Sequence, residues 1–165
     1  MNARPDTAAP AAPAGSAAIG RAATAALHDE LALAPKPGLV SFVDTGSHDD
    51  MDAHTFMRSL FALRGYFVRI ADLGAARAPF ADLEACGLQA ERRMLAATGG
   101  ANTHRGAIFL LGLLCAAAGA VQADGRALSG TALRAAVRTH WGDALAARCA
   151  RPSRLPGGIA ARRHG

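Results

Sequence analysis

The sequence predicts an all-α protein, a helical bundle of about five helices, and three observations carry that prediction. The 165-residue chain is 51% hydrophobic but only 5% aromatic, and its apolar content is dominated by alanine and leucine, which favour helix over sheet. Apolar residues recur at spacings of three and four, the period of one helix face. Prolines, glycines and capping residues gather in two non-periodic junctions, 35–51 and 98–106, with no alternation of strands and helices between them. Such a length suits one ordinary domain. The expected organisation is an Ala/Pro-rich disordered lead-in at 1–15, a helical domain at 16–149, and a disordered basic tail at 150–165.

Taken in order, Ser16 is placed to cap a first helix over 17–33, carrying Ile19, Ala23, Leu27 and Leu31 at helical spacing, with Pro35 and Pro37 as its stop. The next stretch, APKPGLVSFVDTGSHDDM, holds no period and reads as an ordered, polar, functional loop. Asp52 caps a second helix, where Phe56, Leu60, Leu63, Phe67 and Ile70 form one buried stripe, and Gly74 is expected to end it. Pro79 opens a third helix running to Ala97, with Leu83, Ala90 and Met94 on its apolar face. After the 98–106 junction, Asn102 or Thr103 caps an apolar helix at 104–120, and Ser129 caps a last one through Leu145.

Bulk features narrow the function classes. Cys86, Cys115 and Cys149 are odd in number and widely spaced, which argues against disulfides or a structural zinc site and for a reducing, cytoplasmic setting. The opening residues carry three prolines and no leucine-rich block, so no export signal is expected. The apolar run Ala107 to Val121 is fifteen residues, against about 20 for a membrane span. The net charge of +5 is uneven: through Gly125 there are 10 basic and 12 acidic residues, and from Arg126 onward 8 basic and 1 acidic. A basic tail with Arg148, Arg151, Arg154, Arg162 and Arg163 admits a nucleic-acid contact, but no stacking aromatics are interleaved and no known motif appears.

Three constellations carry chemistry. Glu30 precedes Lys36-Pro37-Gly38, and Lys36 is the one lysine beside seventeen arginines. A compact ammonium presented between two prolines suits a phosphate group; an ordinary solvated lysine is the plain alternative. His48-Asp49-Asp50-Met51-Asp52 packs three carboxylates into four residues. They repel unless a cation sits among them, and Mg²⁺ is the natural one. Asp49 and Asp52 are expected to project to one side once the helix begins, with Asp50 beside them and His48 as a base, although plain helix capping accounts for the same residues. Gly99, Gly100, Asn102, His104 and Arg105 form a glycine-rich helix start, which offers backbone N–H groups and a guanidinium to an anion; a normally capped turn is again the plain alternative. His48-Asp49 also reads as the HD dipeptide of helical phosphohydrolases, but His28, His54, His104 and His140 supply no matching metal-ligand spacing.

The segments ELALAPKPGLVSFVDTGSHDDMD, FMRSLFALRGYF and AERRMLAATGGANTHRGAIFLLGLLCAAAG resemble the triphosphoribosyl-dephospho-CoA synthase family over Ala18 to Trp141, nearest its malonate decarboxylase-associated members and next its citrate lyase-associated ones. The resemblance implies an all-helical enzyme that transfers the triphosphoribosyl group of ATP to the 2′-hydroxyl of 3′-dephospho-CoA and releases adenine. Its product is the precursor of the prosthetic group on an acyl-carrier subunit, so that subunit and a downstream holo-carrier transferase are the implied partners. The positions to watch are Glu30, Lys36, Asp49, Asp50, Asp52, Asn102, His104 and Arg105. One of the carboxylates, His48 or His104 would take the acceptor's proton, and one of Glu30, Asp49 and Asp52 would face the cationic ribose carbon. Lys36, Arg105, Mg²⁺ and the N–H groups at Gly99 and Gly100 would hold the triphosphate as a handle.

Ser41 and Asp44 depart from the Asp and Asn of many citrate lyase-type relatives. The chain also resembles about the first half of family members, so the bundle is expected to be an incomplete version of a larger fold, and the Arg/Pro/Gly text near Ala150 reads as a premature end. Two further outcomes follow from that length: an inactive fragment or half-enzyme needing a partner, and self-association through uncovered helix faces.

Overall fold

A computed structural model of the chain describes residues 15–150. The expected lead-in and tail therefore lie outside the described residues, save Gly15 and Ala150. Within them the fold is five helices: α1 Ser16–Ala32, α2 Ala53–Ala75, α3 Phe80–Thr98, α4 Arg105–Ala123 and α5 Gly130–Ala150. No strand occurs among the described residues.

The capping chemistry explains most of the boundaries. Asp52 caps α2, its Oδ1 accepting from the Thr55 N–H and hydroxyl at 2.8 Å each. Ser129 Oγ accepts from the Ala132 N–H at 3.1 Å and starts α5. Gly99 is left-handed at φ 69°, so α3 ends there. Ser16 is already inside α1, whose cap is Gly15, with no side-chain cap.

Two glycines read differently in three dimensions. Gly74 does not stop α2; it lies in its last turn, where a Cβ would land in the Ala116 carbonyl of α4. Gly119 of α4 faces the Ala71 carbonyl in the same way. These glycines let α2 and α4 approach backbone to backbone, and α4 runs to Ala123, past its expected end at 120.

α2 and α4 run parallel: Ser59 meets His104 near their starts, and the Tyr66 hydroxyl donates to the Ile108 carbonyl at 2.7 Å further along. α1 and α3 are antiparallel to both. Gly20 of α1 packs on Val68, and Gly87 and Met94 of α3 face Tyr66 and His104 in turn. α5 closes the other side, with the Trp141 indole N–H donating to the Ala78 carbonyl at 2.9 Å. The α2 stripe is buried at Leu60, Leu63, Phe67 and Ile70, each worth roughly 1.5–3 kcal/mol of apolar burial. Phe56, the first residue of that stripe, is only half-buried.

α4 is the core helix and touches all four others. At 19 residues and a mean hydropathy of 2.0 it is long and apolar enough to cross a membrane, longer than the fifteen-residue run in the sequence indicated. Here half of that length is buried inside the bundle. Its outer face leaves Phe109, Leu110 and Leu114 exposed. Cys86 and Cys115 are buried and unbridged, and burial pushes the Cys115 thiol up to about 12.

Candidate functional site

The topology puts the end of α1 and the starts of α2 and α4 at one end of the bundle, and both polar junctions open there. In the first, Lys36 folds back over the C-terminal turn of α1. Its ammonium donates to Glu30 twice, to the carbonyl at 2.6 Å and to Oε1 at 2.7 Å. The Lys36 side chain is only 8% exposed while that of Glu30 is 49% exposed, so the carboxylate is the group presented to solvent. One of the ammonium's three donors remains.

The loop that follows is ordered by its own hydrogen bonds. Ser41 is buried, its N–H donating to the Asp44 carbonyl at 2.7 Å and its hydroxyl oxygen accepting from the Asp44 N–H at 3.1 Å. Gly46, at φ 62°, sits so close to the Gly38 backbone that no side chain fits there. Val40, in the same loop, is buried.

The second junction supplies His104, which is 5% exposed. Its Nδ1 lies 2.7 Å from Ser59 Oγ of α2, its backbone N–H donates to Met94 Sδ at 3.3 Å, and the Phe56 ring meets it edge-on at 4.9 Å. Its Nε2 is buried and has no hydrogen-bond partner among the described residues. Burial lowers its pKa to about 4, opposed by the negative charge of Glu30. The two junctions share one end of the bundle, since α1 and α3 end there and α2 and α4 begin there.

Three sequence expectations for this end need correction. The N–H groups of Gly99 and Gly100 are not open to an anion, because both donate to the Leu95 carbonyl in a helix-ending motif. Arg105 points to α3, where it pairs with Glu91, rather than into the Glu30–Lys36 junction. Asp49 and Asp52 do not share a helix face, since α2 begins only at Ala53 and both precede it.

Asn102 keeps a local role, its Oδ1 accepting from the Arg105 N–H at 3.3 Å. Asp52 is committed to Thr55, which holds its carboxyl below the usual carboxylate range. Asp49 and Asp50 are exposed, with His48 Nδ1 3.9 Å from Asp50 Oδ1. Among the described residues no three His, Cys, Asp or Glu side chains converge on a common point. The oxygen donors at 49 and 50 match the chemistry Mg²⁺ prefers, as a partial set of the kind that substrate phosphates complete.

Between α3, α4 and the end of α5 lies a cavity of about 330 Å³, apolar inside, with the Arg105–Glu91 and Arg148–Glu84 pairs at its rim. Arg148 is thereby engaged; the other arginines considered for nucleic acid, 151, 154, 162 and 163, lie outside the described residues.

Sequence reasoning missed Ser59 and Met94 as site residues. Ser59 sits inside the apolar stripe of α2, and only its position three residues after Phe56 marks it as inward-facing. Met94 reads as core from its spacing, and its contact with the His104 N–H depends on the turn geometry of residues 99–104.

The chain is 46% identical over 118 residues to a protein of Albidiferax ferrireducens named "Probable 2-(5''-triphosphoribosyl)-3'-dephosphocoenzyme-A synthase", covering 68% of this chain and 39% of that one. Proteins of the same name from Acinetobacter calcoaceticus and Streptococcus equi are 41% identical over 123 residues and 45% over 112, covering 74% and 64% of this chain. The matched part is 42% and 38% of those two relatives, so the chain spans about two fifths of the length of the curated relatives it matches. No solved structure matches it. The sequence model of the family described as ATP:dephospho-CoA triphosphoribosyl transferase matches residues 16–157, further than the helical period alone reaches, and the chain belongs to that family.

Proposed function

We propose that this chain forms the nucleotide-binding end of an enzyme that transfers the 5-triphosphoribosyl group of ATP to the 2′-hydroxyl of 3′-dephospho-CoA. In that reaction the bond between ribose C1′ and adenine breaks with its electron pair leaving on adenine. The acceptor oxygen bonds to C1′ and gives up its proton. The observation that supports this reading is the exposed Glu30 carboxylate, steadied by Lys36 at the same end of the bundle as the buried His104 with its unpartnered Nε2.

Positive charge develops at C1′ and the ring oxygen as adenine departs. A carboxylate fixed before the reaction stabilises that charge without reorganising. Lys36 fixes Glu30, and the third donor of its ammonium is left for a phosphate oxygen. The acidic run 48–52 supplies the acceptor for the hydroxyl proton. Mg²⁺ at Asp49 and Asp50 would neutralise the triphosphate. A product of this kind serves as prosthetic-group precursor for an acyl-carrier subunit, in the cytoplasm, by way of a holo-carrier transferase.

A second reading has the chain as one part of a divided site, needing further helices for turnover. It is favoured by the exposed Phe109, Leu110 and Leu114 on α4, which also suit self-association. One assay separates the two. The purified chain is incubated with ATP, Mg²⁺ and 3′-dephospho-CoA, and free adenine is measured. Adenine release that is lost in Lys36→Ala and Asp49→Ala supports the first reading. ATP binding without adenine release supports the second, and absence of both contradicts the proposed function.

A further inference from the structure

Two arrangements of protons are open to the Ser59–His104 pair, and they leave different numbers of buried groups unpaired. Ser59 is fully buried, and among the described residues its hydroxyl has one partner, His104 Nδ1 at 2.7 Å. If Nδ1–H donated to Ser59, the serine O–H would be buried with no acceptor, and the Nε2 lone pair would also be unpartnered. If Ser59 donates to Nδ1, the Ser59 bond is complete and the one group left over is Nε2–H. Buried polar groups are rarely left unpaired, so the arrangement with fewer orphans is favoured.

We propose that Ser59 is a positioning residue that holds neutral His104 as the Nε2–H tautomer, so that the buried imidazole donates a hydrogen bond to an oxygen of the bound nucleotide instead of accepting a proton. The donor's ligand rests on the nucleotide site proposed above; the tautomer does not. A neutral imidazole in this state polarises or orients an acceptor, and as an N–H donor it cannot serve as a base at the same nitrogen. The unpartnered Nε2 is then a hydrogen bond waiting for an acceptor that arrives with substrate. Phosphate and ribose oxygens offer the same acceptor chemistry.

Long-range ¹H–¹⁵N correlation spectra of the whole chain at pH 7 test this directly, with the His104 signals assigned by their loss in His104→Gln. The expected spectrum has a protonated Nε2 and an unprotonated Nδ1; a protonated Nδ1, or a charged ring, overturns the proposal. Ser59→Ala is expected to shift the ring toward the other tautomer, while Ser59→Thr keeps the parent pattern. A Ser59→Ala ring that stays wholly in the Nε2–H form removes Ser59 from the role. Titration with ATP is expected to move the Nε2 proton downfield, with tripolyphosphate and adenosine as separate arms to show whether a phosphate or a ribose oxygen is responsible. ATP that binds by calorimetry and leaves this proton in place overturns the donor role. Absence of any ATP binding overturns the nucleotide site, and the free-chain spectrum still decides the tautomer.

Discussion

Acidification should destabilise this chain in a window set by His104. Its folded pKa is lowered from 6.5 to about 4, chiefly by burial. The neutral ring is therefore the folded form, and the unfolded chain binds the proton first as pH falls. Stability from this group is fully present above the ordinary histidine pKa and is lost progressively as pH drops from about 6.5 toward 4. With about 1.4 kcal/mol for each tenfold change, the whole gap corresponds to roughly 3 kcal/mol, of which roughly 2 kcal/mol is lost by pH 5. At 5% exposure the ring is too buried for solvent to screen much of this. Urea unfolding at pH 7.5 and pH 5 measures it, with His104→Gln as the reference that cannot titrate at this position. The parent chain should lose roughly 2 kcal/mol more than the variant between those pH values. Equal losses would show that His104 is not held neutral by the fold.

Other perturbations test separate parts of the structure. Gly74→Ala drives a methyl into the Ala116 carbonyl and should cost about 3 kcal/mol or prevent folding, as read by circular dichroism and thermal melts, while Gly65→Ala, in open space on the same helix, should be tolerated. Asp52→Ala should lower the melting temperature by removing the α2 cap, and Asp52→Ser should restore most of it. Because the Asp52 carboxyl is held below its ordinary range, its contribution is present above the usual carboxylate pKa and lost as pH falls through the lowered one. Lys36→Met should weaken ATP binding by about tenfold or more by calorimetry, since it both removes an ammonium and frees Glu30.

The fold was largely legible because the helix period and the caps agree. The α2 stripe, the Asp52 and Ser129 caps and the two breaks at 35–51 and 98–106 all stand where their residue types place them. Gly74 was misread because a packing glycine and a terminating glycine look alike until the partner helix is known. In the site, Glu30 and Lys36 stand out in the sequence, but their pairing does not: the ammonium expected to face a phosphate folds back onto Glu30. The fates of Gly99, Gly100 and Arg105 could not, because each is decided by a specific partner: the Leu95 carbonyl for the two glycines and Glu91 for the arginine. Ser59 carried no signal of its own, since a small polar residue in an apolar stripe acquires meaning only from the imidazole across the helix interface.

The meeting of the two junctions is tested most directly by backbone amide shifts during a titration of the chain with ATP and Mg²⁺. The amides around Glu30 and Lys36 and those at Asn102 to Arg105 should respond together, with one dissociation constant. Responses confined to a single junction, or to the apolar cavity between α3 and α4, would contradict it.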